Sequence, residues 1–268
     1  MSDNLLTADE PPAVERCHAN GKAPVVLTCD HASRRIPAVL GMLGLTEAVI
    51  QRHIGWDIGA AAVTRRLAPL LDAPAVLAGY SRLVIDCNRP VDDPSSIPPE
   101  SDGIVVPGNA GLGDAAIAMR RSSLHAPYHA AIDDEIARVE RAGVVPAIVS
   151  IHSFTPQMKG FARPWHVGVL WDGDGRIALP LLAALRGELG PALVGDNLPY
   201  SAREPVGYTQ RFHAFDRGRS HVAIELRQDL VAEEAGAAVW AERLARLLQP
   251  ILATPGLYVA IAPPKPHI

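Results

Sequence analysis

Cysteine is scarce in this chain. There are three among 268 residues, Cys17, Cys29 and Cys87, widely spaced and without a CxxC pair. An odd, scattered count argues against a disulfide framework and predicts a reducing compartment, the cytoplasm. A surplus of positive charge is also absent: 25 Lys and Arg stand against 29 Asp and Glu, a formal net charge of -4. That balance gives no electrostatic footprint for nucleic acid or an anionic membrane. No apolar run reaches the roughly 18 residues of a membrane span. The acidic, polar start lacks the apolar core of a secretory leader. Aromatic residues are only 5% of the chain, so the core has to be aliphatic. No glycine-rich phosphate loop occurs, which leaves no case for a nucleotide cofactor. Internal repeats and low-complexity segments are missing as well.

What remains is an ordinary globular balance, 48% apolar and 20% charged. Residues 1 to 20 read as a loose, polar arm. Residues 21 to 268 read as one domain with long irregular loops at about 90 to 114 and 195 to 219. Strands are expected at Ala23 to Thr28, Pro74 to Leu77, Arg82 to Asp86, Val144 to Ile151, His166 to Trp171 and His221 to Leu226, with a last short one at Leu257 to Ile261. Helices are expected from a Thr46 cap to about Leu71, from Ser122 or Ser123 to Arg141, from Leu179 to Leu189 and from Val231 to Leu248. Strand and helix alternate, and the apolar runs are too continuous for a half-wet antiparallel sheet. The expectation is a single-domain α/β fold in three layers, with a mixed, mostly parallel central sheet and helices on both faces.

Polar residues collect where the strands end. The first strand runs into Asp30 and His31. The stretch at 82 to 86 runs into Asn88 and Arg89. His152 and Ser153 follow the strand at 144 to 151, and Glu225 and Arg227 stand in "HVAIELRQDL". Ligands of open α/β sheets sit beyond the carboxyl ends of strands, so these ends predict one shared crevice. His31 and His152 are the natural metal ligands, because a catalytic zinc takes three protein ligands and an open position. The third ligand is Asp57, which interrupts an apolar and basic helix, or His53, four residues earlier on the same face. Asp30 orients His31 or caps the turn.

Glu225 lies in a very apolar strand. Either it pairs with Arg227 or Arg89, or it faces the crevice, where it can take a proton from water and pass it to a leaving amine. Arg89, beside Asn88, suits a carboxylate gripped in a bidentate fork. Arg82 does the same or pairs with Asp86. His125 and His129, four apart in "HAPYH", lack the glutamate of HExxH and include Pro127, so a place for His129 along the substrate pocket is preferred to a metal role. "GDNLPYS" offers Tyr200 and Ser201 on a loop facing the site. "WDGDG" reads as a turn without the full calcium-loop pattern. Two rival readings stand beside the metal one. The first is a cysteine hydrolase using Cys29 or Cys87, with His31 or His152 as base. The second is a non-catalytic small-acid binding protein.

The combination of "TCDHASRRIP", "RHIGWDIGA", "YSRLVIDCNRP", "SIHSFTP", "GDNLPYS" and "HVAIELRQDL" resembles the N-formylglutamate amidohydrolase family. The likeness runs from about residue 22 to 248, nearly the whole chain. The family looks like a branch of the zinc carboxypeptidase-like hydrolases, with a phosphorylase/hydrolase-like fold, one zinc ion and a glutamate base. The resemblance implies His31 and His152 as zinc ligands, Asn88 and Arg89 as binders of a substrate carboxylate, and Glu225 as the catalytic glutamate. Carboxypeptidases keep a metal-binding glutamate three residues after the first histidine. Here that position is Arg34, and Asp57 is the substitute. The first motif reads Asp30-His31-Ala32-Ser33, where Pro-His-Ser-Gly is more usual. The implied reaction is hydrolysis of an N-formyl or other N-acyl amino acid, ideally N-formyl-L-glutamate. Zinc, or another divalent ion, is the expected cofactor, and the chain is expected as a monomer or homodimer.

Overall fold

Val25–Cys29 and Ala147–Phe154 are buried at every position. Only a strand covered on both faces needs side chains that are apolar or satisfied throughout. These two strands form the centre of a seven-stranded sheet in a computed structural model that describes residues 4–203 and 207–262. The strands are β1 (Val14–Cys17), β2 (Val25–Cys29), β3 (Ala75–Ala78), β4 (Ala147–Phe154), β5 (Val167–Leu170), β6 (Val194–Asp196) and β7 (His221–Arg227). Their spatial order is β1-β3-β2-β4-β7-β5-β6. Four of the six neighbouring pairs are parallel, and only β1–β3 and β7–β5 run antiparallel. The sheet is therefore mixed and mostly parallel, as expected.

The helices are α1 (Glu47–Ile50), α2 (Ala60–Leu70), α3 (Asp114–Arg120), α4 (Ala126–Glu140), α5 (Ala178–Leu189), α6 (Tyr208–His213) and α7 (Glu234–Leu252). Successive strand residues point to opposite faces. Val25, Leu27 and Cys29 join Val149 and Ile151 in one cluster with α2, α5 and α7. Val26 and Ile148 join Tyr128 and Ile132 of α4 on the other face. A third cluster, with Leu43, Leu83, Ile85 and Val106, fills the space under the long loops.

Several elements depart from the sequence expectation. The stretch expected as a loose arm contributes the edge strand β1, and Leu5 within it is buried. Its signal is faint because backbone pairing and ion pairs hold it, Arg16 to Glu135 and Glu15 to Arg65, rather than an apolar run. The single helix expected from Thr46 to Leu71 is broken into α1 and α2. Between them Gly59 takes φ +83°, and a Cβ there would meet the Val231 carbonyl oxygen at 2.2 Å. Arg82 to Asp86 is a turn and not a strand. The Val84 N–H donates to Ser81 O, and Arg82 pairs with Asp86 one helical turn on. Residues 257 to 261 add no strand, since Pro255–Tyr258 forms a 3-10 turn. The helix expected from Ser122 begins upstream, as α3, and passes into α4 through a wider turn at Arg121–His125.

Candidate active site

Parallel neighbours end together. β2 delivers Asp30 and His31, β4 carries His152, and in β7 Glu225 stands in register with His152. Asp57 comes from the loop between α1 and α2, anchored by its own N–H donating to His31 O at 2.9 Å. One carboxylate oxygen then meets two rings. Asp57 Oδ2 lies 2.9 Å from His152 Nδ1 and 3.3 Å from His31 Nδ1. The opposite ring nitrogens are held by other acids. His31 Nε2 is 2.7 Å from Asp86 Oδ1, and His152 Nε2 is 3.0 Å from Asp30 Oδ2. Asp30 also accepts from the hydroxyls of Tyr128 and Thr209, at 2.7 and 2.6 Å. Arg82 closes the ring of charge, 2.7 Å from Asp86 and 3.6 Å from Asp57.

All three acids and both histidines are buried. Burial opposes ionisation of Asp57 and Asp86, yet their cationic neighbours hold both well below the usual carboxylate range, His31 for Asp57 and Arg82 for Asp86. Against the same burial cost, His152 holds the Asp30 carboxyl at about 2. Burial pulls the two imidazoles down, but their carboxylate partners win and raise both, His152 strongly. Glu225 differs. Burial pushes its carboxyl up to about 7, and its Oε2 has no hydrogen-bond partner among the described residues. Gly168 stands beside it in β5. A side chain there would strike the Leu198 carbonyl oxygen at 2.1 Å, so only glycine lets the Leu198 backbone pack this close beside Glu225.

Among the described residues, His31, Asp57 and His152 are the group whose donor atoms, all within 4.8 Å of one another, suit a metal ion. Both rings have the far nitrogen fixed by a carboxylate, the usual way to aim imidazole at a cation. His53, the alternative third ligand, lines the same cavity but is outside this group, its Nε2 3.3 Å from Asp102. Arg34 also stays out: it lies over the Trp56 ring and toward Glu47.

A cavity of about 280 Å³ opens over these groups, and Asn88, Arg89, Arg82, Tyr200 and Ser201 line it. Tyr200 is braced by Arg163, which donates to its hydroxyl at 3.2 Å. His129 does not line the cavity. It lies behind, and its Nε2–H donates to Cys87 O at 2.9 Å. A carbonyl only accepts, so His129 Nδ1 in turn accepts from His213 Nε2–H at 2.8 Å. One turn earlier His125 donates to Arg89 O at 3.0 Å, and the Tyr208 N–H donates to Asn88 O at 3.2 Å. The helical spacing of His125 and His129 thus serves alternate carbonyls of the segment 86–89, those of Arg89 and Cys87. That role left no mark in the sequence, because the partners are backbone atoms.

Asp30 turns out to orient His152 instead of its chain neighbour His31. Glu225 pairs with neither arginine proposed for it: Arg227 bonds Asp229 at 2.8 Å. Asp86 and Arg163 gained only slight or no notice in the sequence, though an acid next to a strand-like apolar run was a fair signal for the first. Cys29 and Cys87 are buried away from the cavity, and burial pushes both thiols well up. A thiolate nucleophile has no support here.

Fold and cavity together define a three-layer α/β enzyme with its polar site at the carboxyl ends of the central strands. Comparison with known proteins narrows that class. The model of the N-formylglutamate amidohydrolase family matches residues 23–232, and the chain belongs to this family. Among solved structures, a gene product of Agrobacterium tumefaciens is 39% identical, with a TM-score of 0.88 over 93% of this chain and 98% of that one. An N-formylglutamate amidohydrolase of Ralstonia eutropha is 22% identical and shares the fold, with a TM-score of 0.62 over 90% and 97% of the two chains. No curated protein matches the chain.

Proposed function

We propose that this chain is a metal-dependent amidohydrolase cleaving N-formyl or other N-acyl amino acids, N-formyl-L-glutamate foremost, to a carboxylate such as formate and the free amino acid. The observation that carries the reading is the meeting of two imidazole Nδ1 atoms on one Asp57 oxygen, beside the raised carboxyl of Glu225. The donor set of two histidines and a carboxylate fits a single zinc ion, which His31, Asp57 and His152 would hold. When bound, such an ion supplies a Lewis acid for the acyl oxygen and lowers the pKa of water.

The chain's own residues do the rest. Asp86 and Asp30 keep the two rings aimed. Glu225, poised near neutrality, takes a proton from the attacking water and delivers it to the departing nitrogen. Arg89 and Asn88 anchor the substrate carboxylate, helped by the charge of Arg82, which spends binding energy on orientation away from the scissile bond. Tyr200 and Ser201 line the same cavity. Partners are thus small molecules, and no described helix is long and apolar enough to cross a membrane.

The test is metal analysis of the purified protein combined with a screen of N-formyl and N-acetyl amino acids. The expected result is one bound divalent ion, turnover of N-formyl-L-glutamate, loss on chelation and recovery with zinc. A metal-free protein whose H31A and H152A variants keep full activity would sink the reading.

A further inference from the structure

The cavity is longer than a formyl group requires. His221, Ala223 and Glu225 alternate along β7, so all three point to one face of the sheet, and all three line the cavity. The floor therefore runs four residues down the strand, roughly 13 Å at the usual rise. Leu170 of β5 lies in register with Ala223 and lines the same space, and Phe215 stands at its side. The far end is closed by Phe215 and His221, whose rings meet edge-on at 6.0 Å.

Two further observations set this stretch apart. Leu170, Phe215 and Ala223 are buried, yet none of them belongs to the three hydrophobic clusters that make the core. Their apolar surface faces space that the fold leaves open. The residue in mid-floor is also the small one: a Cβ methyl at position 223 gives depth that a larger side chain would remove. Charge then fixes the direction. Arg82 bonds Asp86, which holds His31 at the end of β2, and Arg89 belongs to the same 86–89 segment. The groove runs along β7 and β5, beyond β4. The third arginine on the wall, Arg211, lies over the Phe215 ring with its charge 3.7 Å from Asp216. A substrate whose carboxylate is on the arginines directs its acyl group into the groove.

We propose that this groove is an acyl-chain subsite, and that the enzyme acts on N-acyl amino acids carrying a linear aliphatic acyl group as well as, or better than, on the formyl compound. The inference rests on the amidohydrolase reading above. The chemistry is unchanged: water adds its oxygen to the acyl carbon, the C–N bond breaks, and the amine leaves with the proton. The products are an aliphatic carboxylate and the amino acid. What the groove adds is apolar burial of the chain, available to the transition state and the ground state alike.

The experiment compares kcat/KM for N-formyl-, N-acetyl- and N-hexanoyl-L-glutamate, using the zinc-loaded full-length protein, its Ala223→Leu variant and its Leu170→Phe variant. The wild type is expected to cleave the hexanoyl compound at least as efficiently as the formyl one. Filling the floor is expected to lower the hexanoyl-to-formyl ratio by about tenfold or more. A wild type that prefers formyl by a large factor overturns the subsite. So does an unchanged ratio in either variant that folds; the two positions lie on different strands, so one failing to fold leaves the other to decide. If none of the three compounds is cleaved, the amidohydrolase reading itself falls, and the subsite with it.

Discussion

Glu225 shows how much one buried atom decides. A carboxylate in a strand flanked by Ile224 and Leu226 costs free energy to ionise, and its Oε2 has no hydrogen-bond partner among the described residues. The site tolerates that cost at the one position where a proton acceptor near neutrality is wanted. Glu225→Gln keeps the shape and removes the acceptor. It is expected to lower kcat by about 10²- to 10⁴-fold while the melting midpoint holds. Activity retained in a folded E225Q would remove Glu225 from the reaction. The sequence singled out His31 and His152 because reactive side chains at the ends of apolar runs are conspicuous, and Glu225 because a carboxylate inside such a run is. Asp57 stood out only as an acid interrupting a helix, with His53 as its alternative. It misjudged His129 because spacing identifies a shared helix face but not what that face touches. Here it touches the carbonyl of Cys87.

At the scale of elements, β2, β4 and β7 were legible because a strand covered on both faces must be continuously apolar. The break between α1 and α2 was not. It depends on the close approach of Gly59 to the Val231 carbonyl and on the Asp57 N–H finding His31 O, contacts between residues far apart in the chain. That break lets Asp57 leave the helical path and enter the site. Gly59→Ala combines a left-handed φ with a backbone clash, and is expected to cost about 2 to 3 kcal/mol or more, read from urea unfolding. Because Asp57 precedes it by two residues, metal content should drop in the same variant. A variant as stable as the wild type would mean that the α1–α2 break does not depend on this glycine.

For the whole molecule, the buried pair His129 and His213 links stability to pH. Burial, foremost, holds His129 at about 3 and His213 at about 4. Both values lie below the unfolded imidazole, about 6.5. The unfolded chain therefore binds protons that the native chain refuses, so stability from this pair is complete above about 6.5 and is lost as pH falls toward 4. The raised histidines His31 and His152 act in the opposite sense, so a difference experiment isolates the pair. The His129→Asn, His213→Asn double variant is expected to lose less stability than the wild type between about pH 6.5 and 4, measured as melting midpoint against pH. Parallel curves would refute a neutral pair. The same row of rings has a spectroscopic use. A ring N–H held by a buried carbonyl is shielded from exchange with water, and its proton resonance falls clear of the amide crowd. His125 and His129 hold the carbonyls of Arg89 and Cys87. The molecule thus carries two unlabelled NMR probes on the segment expected to grip its substrate, readable before any turnover is measured.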